Sequence, residues 1–202
     1  MGPFDQLLEE SVKLHGHLCP GQVLGVRLAM LGCRAVRLEE PREGKRLLVF
    51  VEIDRCATDA IQSVTGCSLG KRTLRHVDYG KTAATFVNLA TGKAVRVIAR
   101  ESSREVAPLY APGLQNPREA QTIAYRIMPD ESLFTVEEVE VQIPPEDRPG
   151  GKRRRVLCGR CGEGVNYGRE VYVEGCPLCR ACGNGAYYQK RQAVRALGGP
   201  GQ

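Results

Sequence analysis

Residues His15–Leu38 have the sequence HGHLCPGQVLGVRLAMLGCRAVRL, in which a long apolar run follows two histidines and a cysteine. Pro20 fits the first position of a helix, where its missing N–H is not needed. The apolar run Gln22–Leu38 predicts a buried helix. Gly25 and Gly32 lie seven residues apart and therefore share one helix face, where a neighbouring backbone could come close.

Further elements follow from the spacing of apolar residues on either side of this segment. Lys45–Ile53 alternates, with four apolar side chains on one face, and this pattern predicts a strand. The other predicted helices are Phe4–Leu14, Asp59–Thr65 and Arg118–Met128, and the other predicted strands are Thr82–Leu89, Lys93–Arg100 and Phe134–Ile143. A stretch rich in Pro and Gly begins at Pro144. We therefore expect a core domain at residues 1–146, a linker at 147–151 and a small module at 152–197.

Composition places the chain among ordinary globular proteins, with 42% hydrophobic and 26% charged residues. No segment has the length and hydropathy of a membrane span, and the N-terminus lacks a secretory pattern. We therefore expect a cytoplasmic protein without membrane contact. In that compartment the nine cysteines favour metal ligands or reactive thiols over disulfides. Residues 148–202 contain 11 Lys and Arg against 3 Asp and Glu, so the basic charge is concentrated in the tail.

The clearest metal signal is a repeated C-x-x-C-G pattern near the end of the chain. Cys158 and Cys161 form the first pair, and Cys179 and Cys182 form the second, with 17 residues between them. This spacing predicts a tetrahedral four-thiolate zinc site. Cys176 also starts a C-x-x-C pair, but that pair lacks the trailing glycine and its spacing is shorter, so we exclude it. A hairpin at Val165–Glu174 and a helix from about Cys182 to Leu197 would complete the module.

A second group of candidate residues lies in the core domain. Cys19 falls at or next to the start of the predicted helix, where free amides and the helix dipole favour a thiolate. Cys56 follows a strand and Cys67 follows a short helix, and such element ends often present functional groups. A buried structural role for each of these cysteines stays open. Cys33 lies on an apolar helix face, where a core role is the better interpretation.

The stretch Gly66–Thr73 has some likeness to a phosphate-binding loop, but its spacing does not match. Three residues, not four, separate its two glycines, and Arg72 stands between Lys71 and Thr73. A nucleotide triphosphate site is therefore rejected. A weaker anion site at Lys71 stays open.

Four motifs together resemble the FmdE family, named for the FmdE subunit of formylmethanofuran dehydrogenase. They are His15–Gly21 (HGHLCPG), Cys56–Gln62 (CATDAIQ), Thr65–Lys71 (TGCSLGK) and Asp78–Lys81 (DYGK). The resemblance covers nearly all of the chain. It implies an α+β core domain with a mixed or antiparallel sheet, a cleft near the first motif, and a treble-clef-like zinc module at the C-terminus.

The resemblance also implies a second, transition-metal site in that cleft. Its ligands would be His17, Cys19, Cys56 and Cys67. Cys19 could serve as a reactive thiolate instead of a ligand, and Asp59 is a candidate for proton transfer. The implied partners are subunits of a molybdenum or tungsten enzyme, whose own cofactor would carry the redox chemistry. Whether this chain is itself catalytic is left open, because a family does not determine a reaction.

The order of cysteine pair, hairpin, second pair and helix is also similar to the zinc finger of DksA/TraR-type transcription regulators. The basic run Lys152–Arg155 and the cations Lys190, Arg191 and Arg195 add to this alternative. It implies a regulator that binds nucleic acid or polymerase through its tail, by phosphate contacts that carry no sequence information. We further expect a homo-oligomer, such as a dimer.

Overall fold

The computed structural model describes residues 2–150 and 154–189. The chain divides after Ile143 into two compact units. Several predicted features of the tail lie outside the described residues: Lys152 and Arg153 of the basic run, the cations Lys190, Arg191 and Arg195, and the end of the predicted closing helix at Leu197.

The first unit is an α+β structure, as the sequence predicted. Its helices are α1 (Phe4–His15), α2 (Pro20–Ala35), α3 (Cys56–Thr65), α4 (Ser102–Tyr110), α5 (Pro117–Ile127) and α6 (Asp130–Leu133). Its strands are β1 (Leu47–Val51), β2 (Leu74–His76), β3 (Ala83–Asn88), β4 (Ala94–Ala99) and β5 (Phe134–Glu138). The strands form one sheet of order β2-β1-β3-β4-β5, in which β1 and β2 are parallel and the other pairs antiparallel. The predicted mixed sheet is therefore confirmed.

Three elements of this unit were not predicted from the sequence: β2, α4 and the four-residue helix α6. Strand β2 is only three residues long and lies in a charged stretch, so it has no visible alternation. Helix α4 contains Pro108, and only Ser103 and Ala107 among its residues are fully buried. An apolar pattern this sparse does not identify a helix.

The sheet buries both of its faces to different extents. Leu47, Val49 and Val51 of β1 point into the main core together with the helices, as their alternation predicted. On the opposite face Leu48 packs in a smaller cluster that residues 139–143 help to cover. This last segment therefore packs as an extended chain, and the strand predicted to reach Ile143 ends at Glu138.

Glycines allow helix α2 to approach its neighbours closely, as the sequence predicted. A Cβ on Gly25 would lie 2.7 Å from both the Cα and the carbonyl oxygen of Ala57 in α3. A Cβ on Gly32 would overlap the ring of Phe86 in β3. Side chains at these positions would force the layers apart, because real Cβ atoms do not approach so closely.

Among its described residues, the second unit contains a 3₁₀ turn at Pro145–Asp147, two short hairpins and a helix. The strands are β6 (Arg155–Leu157), β7 (Gly164–Asn166), β8 (Val171–Val173) and β9 (Cys176–Leu178), and the helix is α7 (Arg180–Asn184). Strand β6 pairs with β7, and β8 pairs with β9, both antiparallel. The order of cysteine pair, hairpin and helix matches the predicted treble-clef-like module.

Two local predictions for this unit were wrong. The hairpin predicted at Val165–Glu174 does not form, because β7 pairs with β6 and β8 pairs with β9 instead of with each other. The hairpin next to the helix is β8–β9, which turns at Glu174 and Gly175. The helix starts at Arg180, before Cys182, and ends at Asn184.

No helix in the described part of the chain is long and apolar enough to cross a membrane.

We predict that Gly25→Ala destabilises the protein although alanine is the better helix former by about 1 kcal/mol. The added methyl group would meet backbone atoms of α3 at 2.7 Å, and overpacking of this kind costs about 1–3 kcal/mol. Urea denaturation should show a net loss of up to about 2 kcal/mol in the free energy of unfolding. Gly70→Ala is the matched control, because no atom lies within 4 Å of its added Cβ. A Gly25→Ala protein as stable as the control would contradict the close approach of the helices.

Candidate functional site

The starts of helices α2 and α3 meet at one place in the first unit. Cys19 is the N-cap of α2 and Pro20 its first residue, as predicted, while Cys56 is the first residue of α3. A Cβ on Gly21 would lie 2.8 Å from the Cβ of Cys56. The side-chain amide of Gln22 donates a hydrogen bond of 2.6 Å to the Cys56 carbonyl oxygen. The two thiols are therefore held side by side at the ends of two packed helices.

Three potential metal ligands cluster next to this junction. His15, His17 and Cys19 each offer a ligand atom, and these atoms lie within 4.8 Å of one another. His15 Nε2 lies 4.0 Å from Cys19 Sγ, and the centroids of the two imidazole rings are 4.6 Å apart. His15 closes α1, where Gly16 has a φ of 96° and ends the helix. The turn that follows brings His17 and Cys19 back towards the His15 ring.

Asp59 fixes the orientation of His15. Its Oδ2 lies 2.8 Å from His15 Nδ1, and the carboxylate is half exposed whereas the His15 side chain is only 13% exposed. This contact leaves Nε2 on the side facing Cys19. A carboxylate on the far nitrogen is the usual support of a metal-binding histidine, because it fixes the tautomer and the ring angle. The donor set and its support thus fit a transition metal.

Cys56 borders the cluster as a protonated thiol. Burial raises its pKa, and the hydrogen bond and charge of neighbouring Cys19 raise it further. Two thiols in contact cannot both ionise easily without a nearby cation. Cys56 is thus placed to become a further ligand when a cation is present.

Cys67 lies elsewhere in the unit, although the sequence had suggested it as a ligand of the same site. Its thiol is buried and donates to the Leu47 carbonyl oxygen at 3.7 Å. It lines a separate cavity of about 450 Å³, together with Lys71. The Lys71 amine donates to the Gly66 carbonyl oxygen at 3.0 Å. Cys33 is fully buried in the main core, so the core role that we favoured for it is confirmed.

A broad cleft opens beside the cluster. It has a volume of about 870 Å³, and its lining includes His17, Cys19 and Cys56. Apolar and aromatic groups, among them Leu24 and Tyr125, form another part of that lining. Ligand pockets usually measure about 300–1,000 Å³, so the cleft could admit a small organic molecule next to a metal. We call this cavity the cleft from here on.

The four cysteines of the C-x-x-C-G pairs form the second potential metal centre. The sulfurs of Cys158, Cys161, Cys179 and Cys182 lie within 4.8 Å of one another. Cys161 and Cys179 are separated by 3.9 Å between sulfurs. Thiolates about 2.3 Å from one tetrahedral zinc ion would be about 3.8 Å apart. Cys176 is exposed and is not part of this group.

Secondary structure places each of these sulfurs. Cys158 follows β6, and its sulfur accepts hydrogen bonds from backbone amides. These bonds, of which the one from Cys161 has the largest effect, lower the pKa of Cys158 to about 6. Cys179 is the N-cap of α7 and accepts a bond from the Cys182 amide at 3.4 Å. The pKa of Cys182 is raised to about 12 by its bond to Cys179 and by burial. Without a cation, therefore, the thiols of Cys158 and Cys182 do not ionise in the same pH range.

Comparison with known proteins gives one family and two informative relatives. The family described as "FmdE, Molybdenum formylmethanofuran dehydrogenase operon" matches residues 14–135. A protein of Archaeoglobus fulgidus named "Probable S-adenosyl-L-methionine-binding protein" is 33% identical over 205 residues. That alignment covers 91% of this chain but 54% of the relative, so the chain spans about half the length of that protein.

A solved structure shares the fold. It is that of a tungsten formylmethanofuran dehydrogenase FmdE-like protein from Syntrophus aciditrophicus, and it matches with a TM-score of 0.62. The match covers 92% of this chain and 95% of that one at 21% identity. At this level of identity the likeness concerns the fold.

We predict that Cys33 and Cys67 resist alkylation in the folded protein. Burial raises the pKa of Cys33 from 9.0 to about 12 and also raises that of Cys67. At pH 8 such a shift makes the thiolate fraction of Cys33 about a thousandfold smaller than that of an ordinary thiol. Iodoacetamide labelling followed by peptide mass spectrometry should modify exposed Cys176 first. Equal labelling of Cys67 and Cys176 without denaturant would show that Cys67 is accessible.

Proposed function

This chain belongs to the FmdE family, and we propose that it is a metal-binding accessory or redox-associated protein of a molybdenum or tungsten formylmethanofuran dehydrogenase-like system. In this proposal the cleft holds a transition metal and the second unit holds a structural zinc ion. The observation that carries the proposal is the cluster of His15, His17 and Cys19, supported by Asp59, beside an open cleft.

The donor chemistry narrows the choice of cleft metal. Two imidazoles and a thiolate suit zinc, copper or iron better than the hard cations magnesium and calcium, which prefer oxygen ligands. His15, His17 and Cys19 would bind the metal, and Cys56 is the nearest candidate for a fourth position. A metal with an open position would supply Lewis acidity to a molecule in the cleft. The sequence-based set with Cys67 in place of His15 is less well supported, because Cys67 lines another cavity.

Asp59 and Cys19 have different roles in the proposed metal site. Asp59 accepts a hydrogen bond from His15 and holds the ring with Nε2 towards Cys19. Cys19 can serve as a ligand or, where the metal is held by the other residues, as a thiolate at the helix start. The half-exposed Asp59 carboxylate is also the group from which a proton could reach solvent.

Zinc is the metal that we propose for the four-cysteine group. Four thiolates in tetrahedral spacing are typical of structural zinc, which leaves no position for a substrate. The second unit buries only Cys158, Val165 and Leu178 in its apolar cluster, within the residues that the structure describes. A unit with so small a core depends on its metal for folding.

The link to the dehydrogenase rests on the family description and on the name of the Syntrophus aciditrophicus protein. The name of the Archaeoglobus fulgidus relative suggests S-adenosyl-L-methionine binding, but this chain corresponds to about half of that protein. The alternative role in nucleic-acid or polymerase binding stays a prediction, since Lys190, Arg191 and Arg195 lie outside the described residues. The zinc ion in the four-cysteine group, the partner enzyme and the association of this chain with itself are likewise proposals.

We predict that the full chain binds two metal equivalents and that His17→Ala removes one of them. The imidazole is part of the cluster, so its loss leaves too few ligands to retain a metal through dialysis. Asp59→Asn should weaken the same site by about 10- to 100-fold, because it removes the charged support of His15. Elemental analysis after dialysis measures both effects.

Cys67→Ala is the matched control for the cleft metal. It removes a thiol that the sequence singled out but that the structure places in a different cavity. The protein should keep both metal equivalents. Loss of one equivalent from Cys67→Ala, with His17→Ala unaffected, would overturn the proposed ligand set.

The double variant Cys158→Ser, Cys161→Ser tests the second unit separately. It should lose one zinc equivalent, and backbone amide NMR signals of residues 154–189 should collapse towards unfolded positions while those of the first unit stay dispersed. The reason is that structural zinc contributes about 10–16 kcal/mol of apparent binding energy in small modules. Cys176→Ser is the control and should retain both the metal and the spectrum. A folded second unit in the double variant would show that zinc is not its main support.

A further inference from the structure

The lining of the cleft beyond the histidine–cysteine cluster is strongly basic. Five cationic residues line the cleft, against two acidic ones, Glu101 and Glu119. The cations, which we call the basic wall, are Arg55, Lys81, Arg100, Arg104 and Arg118. The first unit as a whole is neutral, because residues 1–143 contain 18 Lys and Arg and 18 Asp and Glu. Positive charge is therefore concentrated in the cleft rather than spread over the unit.

Most of this charge is not neutralised inside the protein. Arg104 is paired with Glu101 at 3.1 Å, and Arg100 donates to the Phe134 carbonyl oxygen. Within residues 2–150 and 154–189, the side chains of Arg55, Lys81 and Arg118 make no ion pair. Like charges gathered without partners repel one another, so such an arrangement favours an anionic ligand.

The orientation of four helices adds to the positive electrostatic potential in the cleft. The first turns of α2, α3, α4 and α5 all contribute residues to the cleft lining, namely Gly21, Ala57, Ser103 and Glu119 among others. The amino-terminal end of a helix carries a partial positive charge and free N–H groups. Four such ends around one cavity strengthen the attraction that the unpaired cations produce.

We propose that the cleft binds a small organic anion through its basic wall, with a carboxylate or phosphate group near Arg55 and Arg118 and an uncharged part that reaches the histidine–cysteine cluster. This inference rests on the proposed function, since it names the ligand class of the same metal site. The apolar groups Leu24, Ile53 and Tyr125 in the lining suit the carbon skeleton of such a ligand. The cleft volume of about 870 Å³ admits a molecule considerably larger than a free inorganic ion.

The basic wall can be tested by isothermal titration of the metal-loaded full chain at low ionic strength. The probes are glutarate, a dicarboxylate, and glycerol 3-phosphate, with glutaramide and glycerol as their uncharged counterparts. At least one anion should bind while its counterpart does not, and the anion that binds distinguishes carboxylate from phosphate recognition. Arg118→Gln should weaken that binding about tenfold, because a charge-assisted contact is lost.

Arg126→Gln is the matched control on the same helix. Arg126 lies in the last turn of α5 and pairs with Asp5 at 2.7 Å, and it is not part of the cleft lining. Its variant should bind the anion as the unaltered protein does. If neither anion binds, or if the two arginine variants weaken binding equally, the proposed basic site is overturned.

The same titration on His17→Ala separates this proposal from the metal proposal. Anion binding should persist there although the cleft metal is lost, because the cations of the basic wall are untouched. If the chain takes up only one metal equivalent yet binds the anion through Arg118, the metal proposal fails and the basic site stands. If two metals bind but the anion does not, the basic site fails and the metal proposal stands. Complete loss of anion binding in His17→Ala would overturn the role of the basic wall.

Discussion

The close contact between helices α2 and α3 determines the geometry of the histidine–cysteine cluster. Gly21 and Gly25 face α3 where an added Cβ would come within 2.8 and 2.7 Å of its atoms. Because α3 begins at Cys56, this contact brings a second thiol beside the N-cap cysteine of α2. The site therefore depends on a helix separation that only glycine permits. A buried hydrogen bond from Ser11 to Gln22, and the bond from Gln22 to Cys56, hold the same junction.

The two potential metal centres differ in the size of the packed core that supports their ligands. The histidine–cysteine cluster lies on a large core that contains Val23, Val26, Leu28 and many other fully buried side chains. This scaffold can hold the ligands in place before a metal arrives, which favours an exchangeable or reactive ion. In the described part of its unit, the four-cysteine group has only Val165 and Leu178 as further buried residues in its apolar cluster, and it cannot rely on packing in the same way. The fold can thus shape the first centre by itself, whereas a metal bound at the second would help that unit to fold.

The sequence predicted those parts of the fold that have strong local patterns. The apolar helix after Pro20 and the alternating strand around Val49 were identified correctly, and the sulfurs of the four paired cysteines lie together. The joint site of Cys56 and Cys67 came from the family resemblance, and the helix between the two cysteines was predicted only over Asp59–Thr65. The structure instead starts α3 at Cys56 itself, and its 10 residues separate the helix ends by about 15 Å. His15 was part of the quoted motif, and its spacing of two from His17 was the signal that it belongs with the cluster.

Other features depend on contacts that no local pattern encodes. The basic wall of the cleft combines Arg55 with residues of α4 and α5, and α4 itself was missed because its apolar pattern is sparse. Arg55 and Arg118 line the same cleft although they are far apart in the chain, so the concentration of charge becomes visible only after folding. In the second unit the pairing of Gly164–Asn166 with Arg155–Leu157 was missed, because a three-residue strand at the end of a basic run shows no alternation.

The arrangement of Asp59 narrows its role within the site. The sequence made it a candidate for proton transfer, and its half-exposed carboxylate would permit exchange with water. When His15 Nε2 faces a metal, Nδ1 carries the proton and donates to the Asp59 carboxylate. A proton on the oxygen that faces His15 would then oppose this donor, and the contact that holds the ring towards Cys19 would weaken. Orientation of His15 and proton transfer through that oxygen therefore compete. The other carboxylate oxygen is the one through which Asp59 could exchange a proton without releasing the ligand.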